Sequence, residues 1–214
     1  MISQKSPVLP RPPRRKAREF HEKKEFFPKM QVEWMGQTLI MQTDPGLFSP
    51  QHPDRGTLAM LSWVKFQPGQ KILDLGCGWG LVGVLAAQIA GAENVWMCDL
   101  NPVAIETARK NAAANGAAGV HLCLSDGLAG VDTAGFDLIL SNPPYQTDFS
   151  VAKSFIEKGF NRLKIGGWMY LVVKREAWYR NKMRAVFGGV ELLERDGYLV
   201  LRAQRRAARR SNAR

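Results

Sequence analysis

The chain is expected to fold as a doubly wound α/β domain, a mostly parallel seven-stranded sheet with helices on both faces and an antiparallel hairpin at its C-terminal end. Three observations predict this. Five short runs, KILDL, VWMCDL, VHLCL, FDLIL and WMYLVV, have the nearly unbroken hydrophobicity of strands buried on both faces. Stretches with helical spacing alternate with them, and that alternation calls for right-handed crossovers and a parallel sheet. The finish breaks the rhythm: VELLERDGYLVLRA reads as two more strands, turned at the hairpin dipeptide Asp196-Gly197.

Taken in order, PVLPRPPRRKAREFHEKKEFF is rich in Pro and charge and has no hydrophobic period, so residues 1–31 read as a basic arm. From Val32, VEWMGQTLIMQT alternates around Gly36 as a short β-hairpin would. DPGLFSPQHPDRG is loop chemistry, and GTLAMLSWVKF is a helix candidate ending before Pro68-Gly69. LVGVLAAQIAGA and PVAIETARKNAAANG are helices between strands, the second with Pro102 at its start and Gly116 past its end. KSFIEKGFNRL and AWYRNKMRAVF are two more. The domain is bounded at 32–203, and 204–214 is a basic tail.

Composition narrows the functional classes. With 214 residues and 45% hydrophobic content the chain can bury one sizeable core. No apolar run reaches the ~18–20 residues of a membrane span, and the N-terminus has no signal-peptide core, so a cytoplasmic location is expected. Cys77, Cys98 and Cys123 form no C-x-x-C pair, which argues against a disulfide framework and a zinc site and for buried, reduced thiols. Lone His52 and His121 read as loop surface and strand packing. The net charge of +11 sits at the ends: residues 1–25 carry eight Lys/Arg against three Glu, residues 202–214 six Arg and no acid, and the stretch between is neutral. Basic arms of this kind suit a polyphosphate partner.

The turn DLGCGWG, Asp74 to Gly80, joins a buried strand to a helix. Its glycines at 76, 78 and 80 allow positive φ and close approach of a ligand to the backbone. At the end of the next strand Asp99 suits a bidentate hydrogen bond to two ribose hydroxyls. After the third strand, Asp126 of Ser125-Asp126-Gly127 can accept from an adenine amino group. Together these indicate an adenosine-type cofactor. Gly78, Gly80 and Gly83 formally satisfy G-x-G-x-x-G, and Tyr170 and Lys174 make a dehydrogenase-like Y-x-x-x-K. Dinucleotide turns lack an aspartate at the position of Asp74, however, and the LVV between Tyr170 and Lys174 is strand-like.

DLGCGWG, CDLNP and SNPPY resemble the class I S-adenosyl-L-methionine-dependent methyltransferases with an N-P-P-[YF] motif. The loop PGLFSPQHPDRGTLAML is similar to the small-domain signature of the ribosomal-RNA small-subunit methyltransferase C group, which modifies guanine at N2. The likeness covers about residues 32–203. It implies a Rossmann-like methyltransferase fold. It also implies that Asp74 and the turn (Gly76, Cys77, Gly78, Gly80) surround the methionine part of the cofactor, that Asp99 holds the ribose, that Leu100 packs on the adenine and that Asp126 with Gly127 meets its edge. The chain departs from the longer members in lacking their duplicated N-terminal domain. N-P-P-Y also occurs in adenine-N6 and protein glutamine-N5 methyltransferases, so those acceptors stay open, as does a non-catalytic RNA-binding protein of ribosome assembly.

SNPPY itself suits a methyl-acceptor clamp. An exocyclic amine on a base is a poor nucleophile because its lone pair is delocalised into the ring. Accepting hydrogen bonds from both its hydrogens, by the Asn142 side-chain oxygen and the Pro143 carbonyl, favours a pyramidal nitrogen. Pro143 and Pro144 keep the elbow rigid, and Tyr145 offers a face for base stacking. Lys174 and Arg175, after the fifth strand, are candidates for a phosphate contact. Trp79, inside the glycine turn, is the tryptophan most exposed to a functional reading.

Overall fold

A computed structural model describes residues 29–144 and 149–207. Tyr145, residues 1–28 and residues 208–214 lie outside the described residues. The elements run β1 (Lys29–Trp34), β2 (Gln37–Gln42), α1 (Arg55–Leu61), β3 (Ile72–Leu75), α2 (Leu81–Ala90), β4 (Val95–Asp99), α3 (Pro102–Ala114) and β5 (His121–Leu124). They continue with β6 (Phe136–Ser141), α4 (Phe149–Arg162), β7 (Leu163–Val173), α5 (Glu176–Phe187), β8 (Glu191–Arg195) and β9 (Tyr198–Gln204).

Seven strands form one sheet in the order β5-β4-β3-β6-β7-β9-β8, parallel from β5 to β7 and antiparallel on either side of β9. This is the α/β sheet expected from the alternation, including the C-terminal hairpin. Period two explains why the central runs are apolar without a break. Ile72, Leu138 and Leu140 face a core built with α1, α2 and α3, while Leu73, Leu75 and Ile139 face a second core built with α4 and α5. The chain starts at β3, moves outward through β4 and β5, then returns to the other side of β3 with β6. Helices therefore leave β3 and β6 in opposite directions, which opens a crevice beyond their carboxyl ends. Asp74 is registered with Leu140, so Gly76 and Asn142 leave the sheet side by side. The Ser141 hydroxyl ties the two ends by donating to the Leu75 carbonyl at 2.7 Å.

Three expectations need correction. VHLCL is the outer edge of the sheet and not a buried strand, because β5 pairs with β4 alone; His121 and Leu124 are exposed and Cys123 is only half-buried. Helix α1 ends at Leu61, not near Phe66: Trp63 and Val64 close the turn on the Met60 carbonyl, Val64 enters the core, and Trp63 sets its edge against Tyr170. Leu163, placed at the end of a helix, is the first residue of β7.

The β1–β2 hairpin forms a separate two-stranded sheet. Helix α3 covers its open edge through two asparagines one turn apart. Asn111 accepts from Gln42 N–H and donates to the Gln42 carbonyl; Asn115 does the same for Ile40. Alternate strand residues rise about 6.8 Å and helix residues i and i+4 about 6 Å, so the two spacings match. Two of the six arginines counted over residues 202–214 are built into the fold. Arg202 pairs with Glu191 and stacks over Trp63 and Trp168, and Arg205 donates to the Leu163 carbonyl and lies over Phe160.

Candidate active site

Asp74 belongs to the face of β3 that meets α2, and there its carboxylate accepts from Gly83 N–H at 2.9 Å. It is buried, with 3% exposure. Burial, opposed by the Gly83 bond and aided by the charge of Asp99, pushes its pKa up to about 7. The turn that follows is held from below: Gly76 and Cys77 N–H both donate to the Cys98 carbonyl, and Trp79 accepts from Asn111. Gly76 and Gly78 have φ of 76° and 54°, and a Cβ at either would meet nothing within 4 Å. Their inner side is open space. Gly80 differs. A Cβ there would lie 2.8 Å from Met97 and 2.9 Å from Ala108, and Gly80 is not part of the cavity wall. It lets the turn pack on Met97 of β4 and Ala108 of α3.

Asp99 ends β4. One carboxylate oxygen accepts from Gly78 N–H and the other from Asn101 N–H, each at 2.9 Å. A carboxylate offers about four acceptor positions, so each oxygen keeps capacity for a hydroxyl. Leu100, an apolar side chain 69% exposed, stands next to it on the cavity wall. Ser125 is buried and closes the loop after β5 through its hydroxyl, which donates to the Gly127 carbonyl and accepts from Gly130 N–H. That leaves Asp126 exposed at the mouth. Gly127 lies so close to α4 that a Cβ would sit 2.9 Å from the Phe155 ring. Burial holds the Cys77 thiol well above its usual range and pushes Cys98 up to about 12, so neither is a nucleophile near neutrality.

At the end of β6, Asn142 donates from Nδ2 to Asp54 Oδ2 at 2.7 Å and to Thr57 Oγ1 at 2.9 Å. Asp54 Oδ2 also accepts from Thr57 N–H as the N-cap of α1. A side chain at Gly56 would strike Val172, Tyr198 and this carboxylate, which explains a glycine inside the first turn. Asp54 and Thr57 were not among the site residues expected from sequence. Their loop is recognisable there as turn chemistry and as the family signature, but nothing local shows that Asp54 reaches a residue 88 positions away.

A cavity of about 360 Å³ joins these parts. Asp74, Gly76, Cys77, Gly78, Asp99, Leu100, Asp126, Gly127, Asn142, Pro143 and Pro144 all border it, with Asp54 and Thr57 from the start of α1 and its cap. Phe48 in the loop before α1 and Phe155 on α4 are further walls not anticipated from sequence, and Trp79 is buried against the cavity. Tyr145, expected as a stacking face, lies outside the described residues. Lys174 and Arg175 are exposed just beyond β7, the strand beside β6. Tyr170 is buried within β7 and not on the cavity wall, so Y-x-x-x-K serves the sheet.

The wall fits the expected cofactor by the chemistry of its groups. A buried carboxylate at Asp74 suits an ammonium, paired acceptors at Asp99 suit vicinal hydroxyls, and Leu100 and Phe155 offer apolar surface to an aromatic base. The open space inside Gly76 and Gly78 is where a side chain would exclude a ligand.

Residues 38–202 match the family model described as "Methyltransferase small domain". The chain is 31% identical over 194 residues to a protein of Cronobacter sakazakii named ribosomal RNA small subunit methyltransferase C, covering 86% of this chain and 56% of that protein. It is 36% identical over 161 residues to a protein of the same name in Idiomarina loihiensis, covering 72% of this chain and 46% of the relative. Among solved structures, a Thermus thermophilus 16S rRNA N2 G1207 methyltransferase in complex with AdoMet and guanosine superposes with a TM-score of 0.75 at 25% identity, over 84% of this chain and 51% of that one. The chain thus spans about half the length of these relatives.

Proposed function

The chain belongs to the methyltransferase small-domain family, and from that premise we propose that it transfers a methyl group from S-adenosyl-L-methionine to guanine N2 of ribosomal RNA. The observation that carries this reading is the shared cavity: the Asp74–Asp99 side and the Asn142–Pro143–Pro144 elbow border one space. A relative of like fold holding both AdoMet and guanosine supports the pairing of a cofactor with a guanine acceptor.

When bound, the cofactor supplies an electrophilic sulfonium methyl. Asp74 would hold its ammonium, Asp99 its ribose hydroxyls, and Leu100, Asp126 and Gly127 its adenine. The chain's own task is the acceptor. Asn142 Oδ1 and the Pro143 carbonyl accept from the two hydrogens of the amine and so draw its lone pair out of conjugation. The two prolines and the Asp54–Thr57 bonds hold these acceptors in place, which keeps reorganisation small as charge develops on nitrogen. An amide is no proton acceptor of consequence, so the proton leaves to water. The RNA would be met by the basic ends and by Lys174 and Arg175, and the protein would work in the cytoplasm.

Incubation with labelled S-adenosyl-L-methionine and unmodified small-subunit ribosomal RNA tests this directly. The expected product is N2-methylguanine, and Asn142→Ala should abolish most of the transfer while binding S-adenosylhomocysteine as before. Label in adenine or in protein glutamine instead would replace the acceptor with one of those two.

A further inference from the structure

We propose that Asp54 is the residue that reads the acceptor base, its Oδ2 setting the orientation of Asn142 and its Oδ1 accepting the ring N1–H that lies beside the exocyclic amine in guanine. This rests on the proposed guanine chemistry and goes beyond it by naming what selects guanine over adenine.

Three observations lead there. The first concerns the amide. Asn142 Nδ2 donates to two acceptors at the start of α1, Oδ2 of the N-cap Asp54 and Oγ1 of Thr57. A carboxylate has no donor, so the opposite amide rotamer would set oxygen against oxygen and lose the bond to Asp54. Asp54 thus decides which atom of Asn142 is offered as an acceptor.

The second concerns the two oxygens of Asp54. Oδ2 receives both Thr57 N–H, at 2.7 Å, and Asn142 Nδ2, at 2.7 Å. Among the described residues no hydrogen bond reaches Oδ1, although Asp54 borders the cavity together with Asn142 and Pro143. The carboxylate is half committed to the protein and half available to a ligand.

The third is the edge that the two candidate bases present. Guanine carries N1–H next to its N2 amine, two donor positions in a row. Adenine carries an unprotonated N1, an acceptor, next to its N6 amine. A carboxylate oxygen beside an amine clamp completes the first pattern and repels the second. A site built around a substrate N–H rejects an analogue lacking it, because its own polar group is then left unpaired.

Asp54→Asn inverts this logic without dismantling the site. Asparagine is as good a helix cap as aspartate. Its carbonyl oxygen would stay where Thr57 N–H and Asn142 Nδ2 converge, which puts its NH2, a donor, in the place of Oδ1. The probes are guanosine and 2-aminopurine riboside, which share the 2-amine but differ in the proton on N1. Binding to protein loaded with S-adenosylhomocysteine would be measured by calorimetry for the first and by ligand fluorescence for the second. Wild type should prefer guanosine by about tenfold or more, and Asp54→Asn should bring the ratio to one or reverse it. Asp54→Ser keeps the cap but is too short for Asn142 or the base, and should lose the preference with S-adenosylhomocysteine affinity and melting temperature close to wild type.

A wild-type preference that survives unchanged in either variant overturns the assignment of Asp54. Equal binding of both nucleosides by wild type does the same. Wild type that binds neither nucleoside, or that methylates adenine, overturns the guanine reading itself.

Discussion

Asp74 shows how much of the site is held against its solvation preference. Burial places its folded pKa at about 7, above the ordinary 3.8, so the folded state binds the proton more tightly than the unfolded state does. The resulting contribution to stability is complete below about pH 3.8 and is lost as pH rises through about 7. The ionised form is the one suited to an ammonium. Affinity for S-adenosylhomocysteine, measured by calorimetry between pH 5.5 and 7.5, should therefore weaken as pH falls, approaching about tenfold per unit on the acid side. Asp74→Asn should flatten that dependence; an unchanged slope in the variant would assign it to another group. The sequence marks Asp74, Asp99 and Asn142 by their places at the carboxyl ends of strands. It does not separate Gly80 from Gly76 and Gly78, because a glycine needed for packing on Met97 and Ala108 looks the same in one dimension as a glycine beside open space.

Between elements, the hairpin and helix α3 are joined by side chains, not by sheet. Asn111 holds both Gln42 and the Trp79 carbonyl inside the glycine turn, whereas Asn115 holds Ile40 and the end of its own helix. Asn111 is fully buried, and replacing it with alanine leaves several backbone groups without partners, costing about 2–4 kcal/mol by thermal or denaturant unfolding. Asn111→Ala should also speed hydrogen exchange at Gln42 and weaken S-adenosylhomocysteine binding. Asn115→Ala should speed exchange at Ile40 and leave that affinity alone; equal losses of affinity in both variants would show that the link to Trp79 does not matter. The helix was legible as PVAIETARKNAAANG, with its proline start and glycine stop. The docking was not, since two asparagines on an alanine-rich helix carry no mark of the strand they serve. The same limit applies to β5, whose apolar composition matches a central strand although only one neighbour covers it.

For the molecule as a whole, charge and neutrality are segregated. The net +11 belongs to the ends of the chain, and part of the C-terminal share is spent inside the fold at Arg202 and Arg205. Removing residues 1–28 and 208–214 should weaken binding to ribosomal RNA and reduce the slope of its salt dependence, with S-adenosylhomocysteine affinity unchanged; parallel salt plots before and after truncation would exclude phosphate contacts by these ends. By itself the sequence determined the order of strands and helices, the mostly parallel sheet and its hairpin end, and the cofactor and acceptor motifs. The elements rest on periodicity and turn chemistry, which are local, and the motifs on short contiguous stretches that resemble those of a known family. Only the tertiary structure decided that α1 reaches across to β6, that Asp54 takes charge of Asn142, and which oxygen of that carboxylate remains for a ligand. Those depend on how two segments far apart in the chain approach in space, and pairing of that kind is set by the packing of the whole sheet and its helices.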